Sequence, residues 1–209
     1  MARNQELYDA ISKGKRKDVE SIVNKEIAAG ADPVKMLLES MVPAMRDLGD
    51  RFSRNEVYVP EMLIAARAMQ AGLNIIEPMI AARGHKPLGK VCIGTVNGDL
   101  HDIGKNLVAM MLKCAGFAVM DLGVDCDVQK FSKAVDEGAQ AVCLSALLTT
   151  TMPYMKDVVA HFKARPNVKV VIGGAPVTQQ YASEIGAHGY ADNAGEAVRA
   201  VERCLGLAK

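Results

Sequence analysis

Apolar residues recur every three or four positions from the start of the chain to about residue 85, then fall into short runs after about residue 89. The first rhythm predicts helices, and the second predicts strands alternating with helices. Short helices are expected at about 4–14 and 16–29. A third begins at Asp32, a good N-cap, with Pro33 at the first helical position, where its missing N–H costs least. Leu37, Met41, Met45, Leu48 and Phe52 share one face of it, and Pro43 should kink it. A fourth opens at Pro60 and carries Met62, Ala66, Met69, Leu73, Ile76 and Ile80 as an apolar seam. Four such helices predict a small antiparallel bundle. The stretch "ARGHKPLGK" breaks the pattern as a linker, so the expected domains are 1–88 and 89–209.

In the second domain the runs "KVCIGTV", "FAVMDLG", "AVCLSAL", "VKVVIGG" and a weak last one near "GYADNA" predict five strands. Helices are expected between and after them at about 104–115, 128–137, 152–164, 178–185 and 194–205. This βα repetition implies an α/β fold: a doubly wound, Rossmann-like parallel sheet covered on both faces. Ligands of such sheets gather beyond the carboxyl ends of the strands, near the point where strand order reverses. That rim carries Gly123, Ser145, Thr149 to Thr151, Gly173, Gly174, Asn193 and Ala194, small or hydroxyl residues that let a large ligand approach the backbone.

Composition narrows the function classes. The net charge of +1 gives no basic footprint for nucleic acid or an anionic membrane surface. The five cysteines show no CxxC spacing and several lie in apolar runs, which predicts reduced thiols and a cytoplasmic location. No secretion signal or membrane-spanning stretch is read in the chain.

The loop after the first strand, "VNGDLHDIGKN", concentrates the chemistry. His85, His161 and His188 read as surface histidines, but His101 has Asp99 two residues before it. That carboxylate accepts from one ring nitrogen and leaves the other as a ligand or a proton acceptor. Gly104 opens the next helix and allows a bulky group to approach, with Lys105 and Asn106 adding polar reach. One histidine without a nearby cysteine or second histidine cannot build a closed zinc site, so any metal must bring most of its ligands.

"GDLHDIGKN" resembles the D-x-H-x-x-G signature of cobalamin-binding domains. "LSALLTTTM" is similar to their hydroxyl loop, "VIGGAPVT" to their glycine pair and "YADNAGEAV" to their last strand-loop. "RFSRNEVYVPEMLIAARAM" resembles the helical cap of methionine synthase and of the corrinoid proteins of methyltransferase systems. The resemblance covers nearly the whole chain. It implies a flavodoxin-like cobalamin domain with His101 as lower axial ligand of cobalt, Asp99 orienting it and Ser145 in the same polar network. It also implies that Gly98, Leu100, Asp102, Ile103 and Gly104 bind the cofactor, Gly104 leaving space for the displaced nucleotide tail. Ser145, Leu147 and Thr149 would line a channel for the displaced nucleotide tail, with Gly173, Gly174, Asn193 and Ala194 at its far end. Phe52 and Val59 would cover the upper face.

The function implied is methyl carriage. Co(I) takes a methyl group from a substrate-specific methyltransferase, holds it as methylcobalamin, and gives it to a second, acceptor methyltransferase, with a reductive activase as a further partner. No paired carboxylates or activated nucleophile suggest a complete enzyme, so the chain reads as a carrier subunit. A sensor module would carry a DNA-binding segment that the charge balance does not suggest. A mutase-type subunit would share the signature, but the cap points to methyl transfer. An acid–base enzyme built on Asp99 and His101 would leave the cap and the small-residue rim unexplained.

Overall fold

The structure, a computed structural model, describes residues 3–207. The chain divides into two compact units. One runs to Pro87 and includes Cys114–Gly116; the other comprises Leu88–Lys113 and the chain from Phe117 onward.

The first unit is helical: α1 (Gln5–Ser12), α2 (Arg16–Ala28), α3 (Pro33–Met36), a π-helical turn (Leu37–Met41), α4 (Val42–Ser53) and α5 (Val59–Ala82). Asn4 caps α1 through its side chain, and Asp32 caps α3 by accepting from Val34 N–H at 2.9 Å. The kink expected at Pro43 takes the form of the π turn. There the Val42 N–H reaches back to the Leu37 carbonyl, five residues away. Proline cannot donate to the carbonyl four residues before it and its ring collides with that group, so a widened turn just ahead of Pro43 accommodates it while the helix continues. Helix α5 opens at Val59, where Glu61 accepts from the Tyr58 N–H at 2.8 Å. Leu7, Ile11, Val19, Met41, Met45, Leu48, Met62, Met69 and Ile76 fill the interior.

The second unit alternates β1 (Lys90–Thr95), α6 (Ile103–Cys114), β2 (Ala118–Asp121), α7 (Val128–Asp136), β3 (Ala141–Ser145), α8 (Tyr154–Phe162), β4 (Lys169–Gly173), α9 (Gln179–Ile185), β5 (Gly189–Ala191) and α10 (Ala194–Cys204). The five strands are parallel in the order β2-β1-β3-β4-β5. Five of the six β1 residues are buried, as a strand covered on both faces requires. Phe131 and Phe162 anchor one side of the core. Cys92 and Cys143 pack as small apolar groups, and burial pushes the Cys92 thiol up to about 12.

Register sets the geometry of the rim. Thr95 pairs with Ser145, Ser145 with Gly173, and Gly173 with Ala191, so β1, β3, β4 and β5 end in one row. The loops that follow these strands therefore start side by side. No helix among the described residues is long and apolar enough to cross a membrane.

Candidate functional site

Strand order reverses between β1 and β3, so the loops after these two strands flank the crevice where such sheets bind ligands. The first of them folds back on itself. The Asp99 N–H donates to the Val96 carbonyl at 3.1 Å, and the Thr95 hydroxyl, itself buried, donates to the His101 carbonyl at 2.8 Å. Gly98 supplies the turn at φ +80°, a conformation that side-chain-bearing residues rarely adopt.

This fold-back buries Asp99 completely. Its Oδ1 accepts from the His101 backbone N–H at 3.0 Å and lies 2.7 Å from His101 Nδ1. Its Oδ2 accepts from the backbone N–H groups of Leu147 at 2.8 Å and Leu148 at 3.3 Å, and from the Thr151 hydroxyl at 2.8 Å. Burial by itself pushes this carboxyl up. The bonds from Leu147, His101 and Thr151 outweigh it and hold the group well below the usual carboxylate range. An ionised acceptor at Nδ1 requires that nitrogen to carry the ring proton, which leaves the lone pair on Nε2. Nε2 has no hydrogen-bond partner among the described residues, and half of the His101 side chain is exposed.

Around the imidazole the surface is apolar where loops are ordinarily polar. Leu100 is 72% exposed and Ile103 73%, with Leu147 and Leu148 also exposed on the facing loop. Leu147 is thus not a core residue. At Gly104 a Cβ would meet no atom within 4 Å, so the space beside the loop is open. Exposed leucine and isoleucine around a fixed imidazole suit a broad apolar ligand face.

The structure brings most of the expected residues to this rim. Gly98 to Gly104 form the first loop and the start of α6; Ser145, Leu147 and Thr149 lie on the end of β3 and its loop; Gly173 and Gly174 follow on β4, and Asn193 and Ala194 on the turn into α10. Gly174 has a specific reason to be glycine: at φ +132°, a Cβ would sit 1.9 Å from the Ala146 carbonyl oxygen. Asn193 caps α10, accepting from the Glu196 N–H at 3.0 Å, and Ala194 is buried. Phe52 closes α4 and Val59 opens α5, both half-buried within the helical unit.

Three details depart from the sequence reading or add to it. The hydroxyl on Asp99 belongs to Thr151; the Ser145 side chain makes no hydrogen bond within the described residues, although its backbone pairs with β1 and accepts from Val96. His188 and His161 are exposed, as read, but each is also bonded to the fold: His188 Nδ1 accepts from the Val170 N–H at 3.1 Å, and His161 Nε2 lies 2.7 Å from the buried Ser132 hydroxyl. Lys105 is buried, its ammonium 2.6 Å from Asp121 Oδ1 and 2.6 Å from Asn106 Oδ1, while Asn106 donates to Asp102 at 3.0 Å. Its polar reach is spent inside the fold. A lysine directly after Asp-Ile-Gly, with an aspartate ending the next strand, was the available signal.

The donor set fits a metal enclosed in a macrocycle. Among the described residues no group of three or more His, Cys, Asp or Glu could hold an ion. A single imidazole nitrogen, set in an apolar rim with open space at Gly104, meets the needs of a cobalt whose equatorial positions a corrin already fills.

Comparison with known proteins agrees with this geometry. The B12 binding domain family matches residues 89–199, and a second B12 binding domain family matches residues 3–77. The trimethylamine corrinoid protein of Methanosarcina barkeri is 39% identical over 99% of this chain and 100% of its own length. Dimethylamine corrinoid protein 2 of Methanosarcina acetivorans is 43% identical over 97% and 96%. Among solved structures, a cobalamin-binding protein from Desulfitobacterium hafniense superimposes with a TM-score of 0.80 at 30% identity, over 95% of this chain and 96% of that one. The methanol:cobalamin methyltransferase complex from Methanosarcina barkeri gives 0.84 at 26%, over 98% and 80%. The chain belongs to the B12-binding corrinoid proteins, and its cofactor is of the cobalamin type.

Proposed function

We propose that this protein is a cytoplasmic methyl carrier with a helical cap (1–88) and a cobalamin domain (89–209). The observation that carries this reading is the imidazole of His101, fixed through Nδ1 by a buried carboxylate and free at Nε2, in an exposed apolar rim. When bound, the corrinoid supplies a cobalt that accepts a methyl group in its reduced state and releases it to an acceptor. The chain's own residues hold and tune that centre. His101 would hold the cobalt through Nε2. Asp99 keeps the Nδ1 proton in place and makes the imidazole a better donor. Leu100, Ile103 and Leu147 would offer the corrin an apolar surface, the open space at Gly104 would leave room for the nucleotide tail, and Gly173 and Gly174 would line that tail with backbone. Phe52 and Val59 would shield the cofactor from water.

A methylated amine is the first donor to test, since the relatives named for trimethylamine and dimethylamine are 39% and 43% identical to this chain. A substrate-specific methyltransferase would load the carrier, as the methanol complex suggests, a second methyltransferase would unload it, and a reductive activase would restore it. Reconstitution with hydroxocobalamin tests the ligand: His101→Ala should alter the visible and EPR spectra. Unchanged spectra would reject the axial role. Methyl iodide should methylate the reduced holoprotein, and an inert reduced form would reject carriage.

A further inference from the structure

Asp125, in the loop between β2 and α7, has φ +50°, a left-handed conformation that it shares with only one other non-glycine residue among those described, Asn55. Conformations of this kind persist where surrounding bonds fix them. Here three of the bonds lead to the loop that bears His101. Asp125 Oδ1 accepts from the Asn97 side-chain amide at 2.9 Å and from the Gly98 N–H at 2.8 Å. Its own N–H donates to the Asp99 carbonyl at 3.0 Å. The Lys130 ammonium donates to the Asp125 carbonyl at 3.0 Å, and the next residue, Cys126, bridges to Val96.

We propose that Asp125 is a positioning residue for His101. It grips Asn97, Gly98 and Asp99 from the β2 side, while Leu147, Leu148 and Thr151 grip the Asp99 carboxylate from the β3 side. The two grips act on different atoms of one short segment: the first fixes its backbone, and the second fixes the carboxylate that orients the imidazole. With both in place the ring is aimed before any cofactor arrives, so binding does not have to order the loop. The inference rests on the reading of His101 as the cobalt ligand. The competing role for Asp125 is turn formation alone, which glycine would fill at least as well at this φ.

The full chain is compared with Asp125→Ala, Asp125→Gly and Asp125→Asn. In the apo protein the Gly98 amide should exchange with solvent about tenfold faster in the alanine and glycine variants, because its acceptor is gone. Asparagine tolerates left-handed backbone and keeps an oxygen in place, so its exchange should stay near wild type. After loading with hydroxocobalamin and one-electron reduction, the two-line EPR splitting that a coordinated 15N-histidine imidazole gives, distinct from the three lines of the cofactor's own benzimidazole, should weaken in the alanine and glycine variants and return in asparagine. His101→Ala, measured alongside, should lose it. A glycine variant with wild-type splitting, beside a His101→Ala protein that lacks it, reduces Asp125 to a turn residue and overturns the inference. Wild-type splitting in His101→Ala would overturn the ligand reading, and this inference with it.

Discussion

Oδ2 of Asp99 accepts the backbone N–H of Leu147 at 2.8 Å, joining the loops after β1 and β3 across the break in strand order. The same oxygen serves the Leu148 N–H and the Thr151 hydroxyl. Removing the carboxylate strands these donors in a buried site. Asp99→Ala is expected to destabilise the apo protein by about 3 kcal/mol, read from urea denaturation. A loss below about 1 kcal/mol would mean that water replaces the carboxylate easily.

Acid should expose the same carboxylate. Burial pushes Asp99 up, but the bonds to it push further down, so its folded carboxyl titrates below the unfolded one, which lies near about 4. Above that value both states are ionised and the full stabilisation is present. As pH falls below it, the unfolded chain takes up the proton first, and the stabilisation is lost progressively until the folded group is protonated too. Urea midpoints taken stepwise downward from about pH 5 should therefore fall less steeply in Asp99→Asn than in wild type. Parallel slopes would show that other carboxyls govern the acid limb.

Thr151 and Thr149 stand two residues apart on one loop, yet only the first reaches Asp99. Thr151→Val should cost about 1 kcal/mol of apo stability and weaken hydroxocobalamin retention. Thr149→Val should leave apo stability unchanged. Equal losses from the two would place the effect in the loop as a whole.

Two glycines of the rim should separate folding from binding. Alanine at Gly174 would drive a Cβ to 1.9 Å from the Ala146 oxygen, at a φ that alanine disfavours, and should destabilise the apo protein by more than about 2 kcal/mol. At Gly104 a Cβ meets nothing. Gly104→Ala should keep or slightly raise apo stability, since alanine favours a helix, while reducing hydroxocobalamin affinity. Thermal melts of both apo variants and a spectroscopic titration check the pair.

The alternation of short apolar runs with helical spacing was enough to place all five strands and the helices between them within one or two residues, because a covered parallel strand and an amphipathic helix each impose a period. The π turn before Pro43 left no such mark, since one widened turn hardly disturbs the spacing of Met41, Met45 and Leu48. Asp99 and His101 were legible because they are neighbours in the chain. The partners of Asp99 lie 48 to 52 residues away, and only the adjacency of β1 and β3 brings them in. For that reason the family resemblance pointed to Ser145, at the strand end, where the fold uses Thr151, six residues further on in the loop. The burial of Lys105 was likewise hidden: its partner Asp121 ends a different strand.

With His101 as the proposed ligand, a site that offers a metal one nitrogen would fix the order of assembly. Lone imidazoles lose bare divalent ions to water and to common chelators, so cobalt salts alone would leave this chain empty. The ring must be finished elsewhere and delivered whole, which ties the carrier to the cell's supply of completed corrinoid and makes it indifferent to the level of free cobalt.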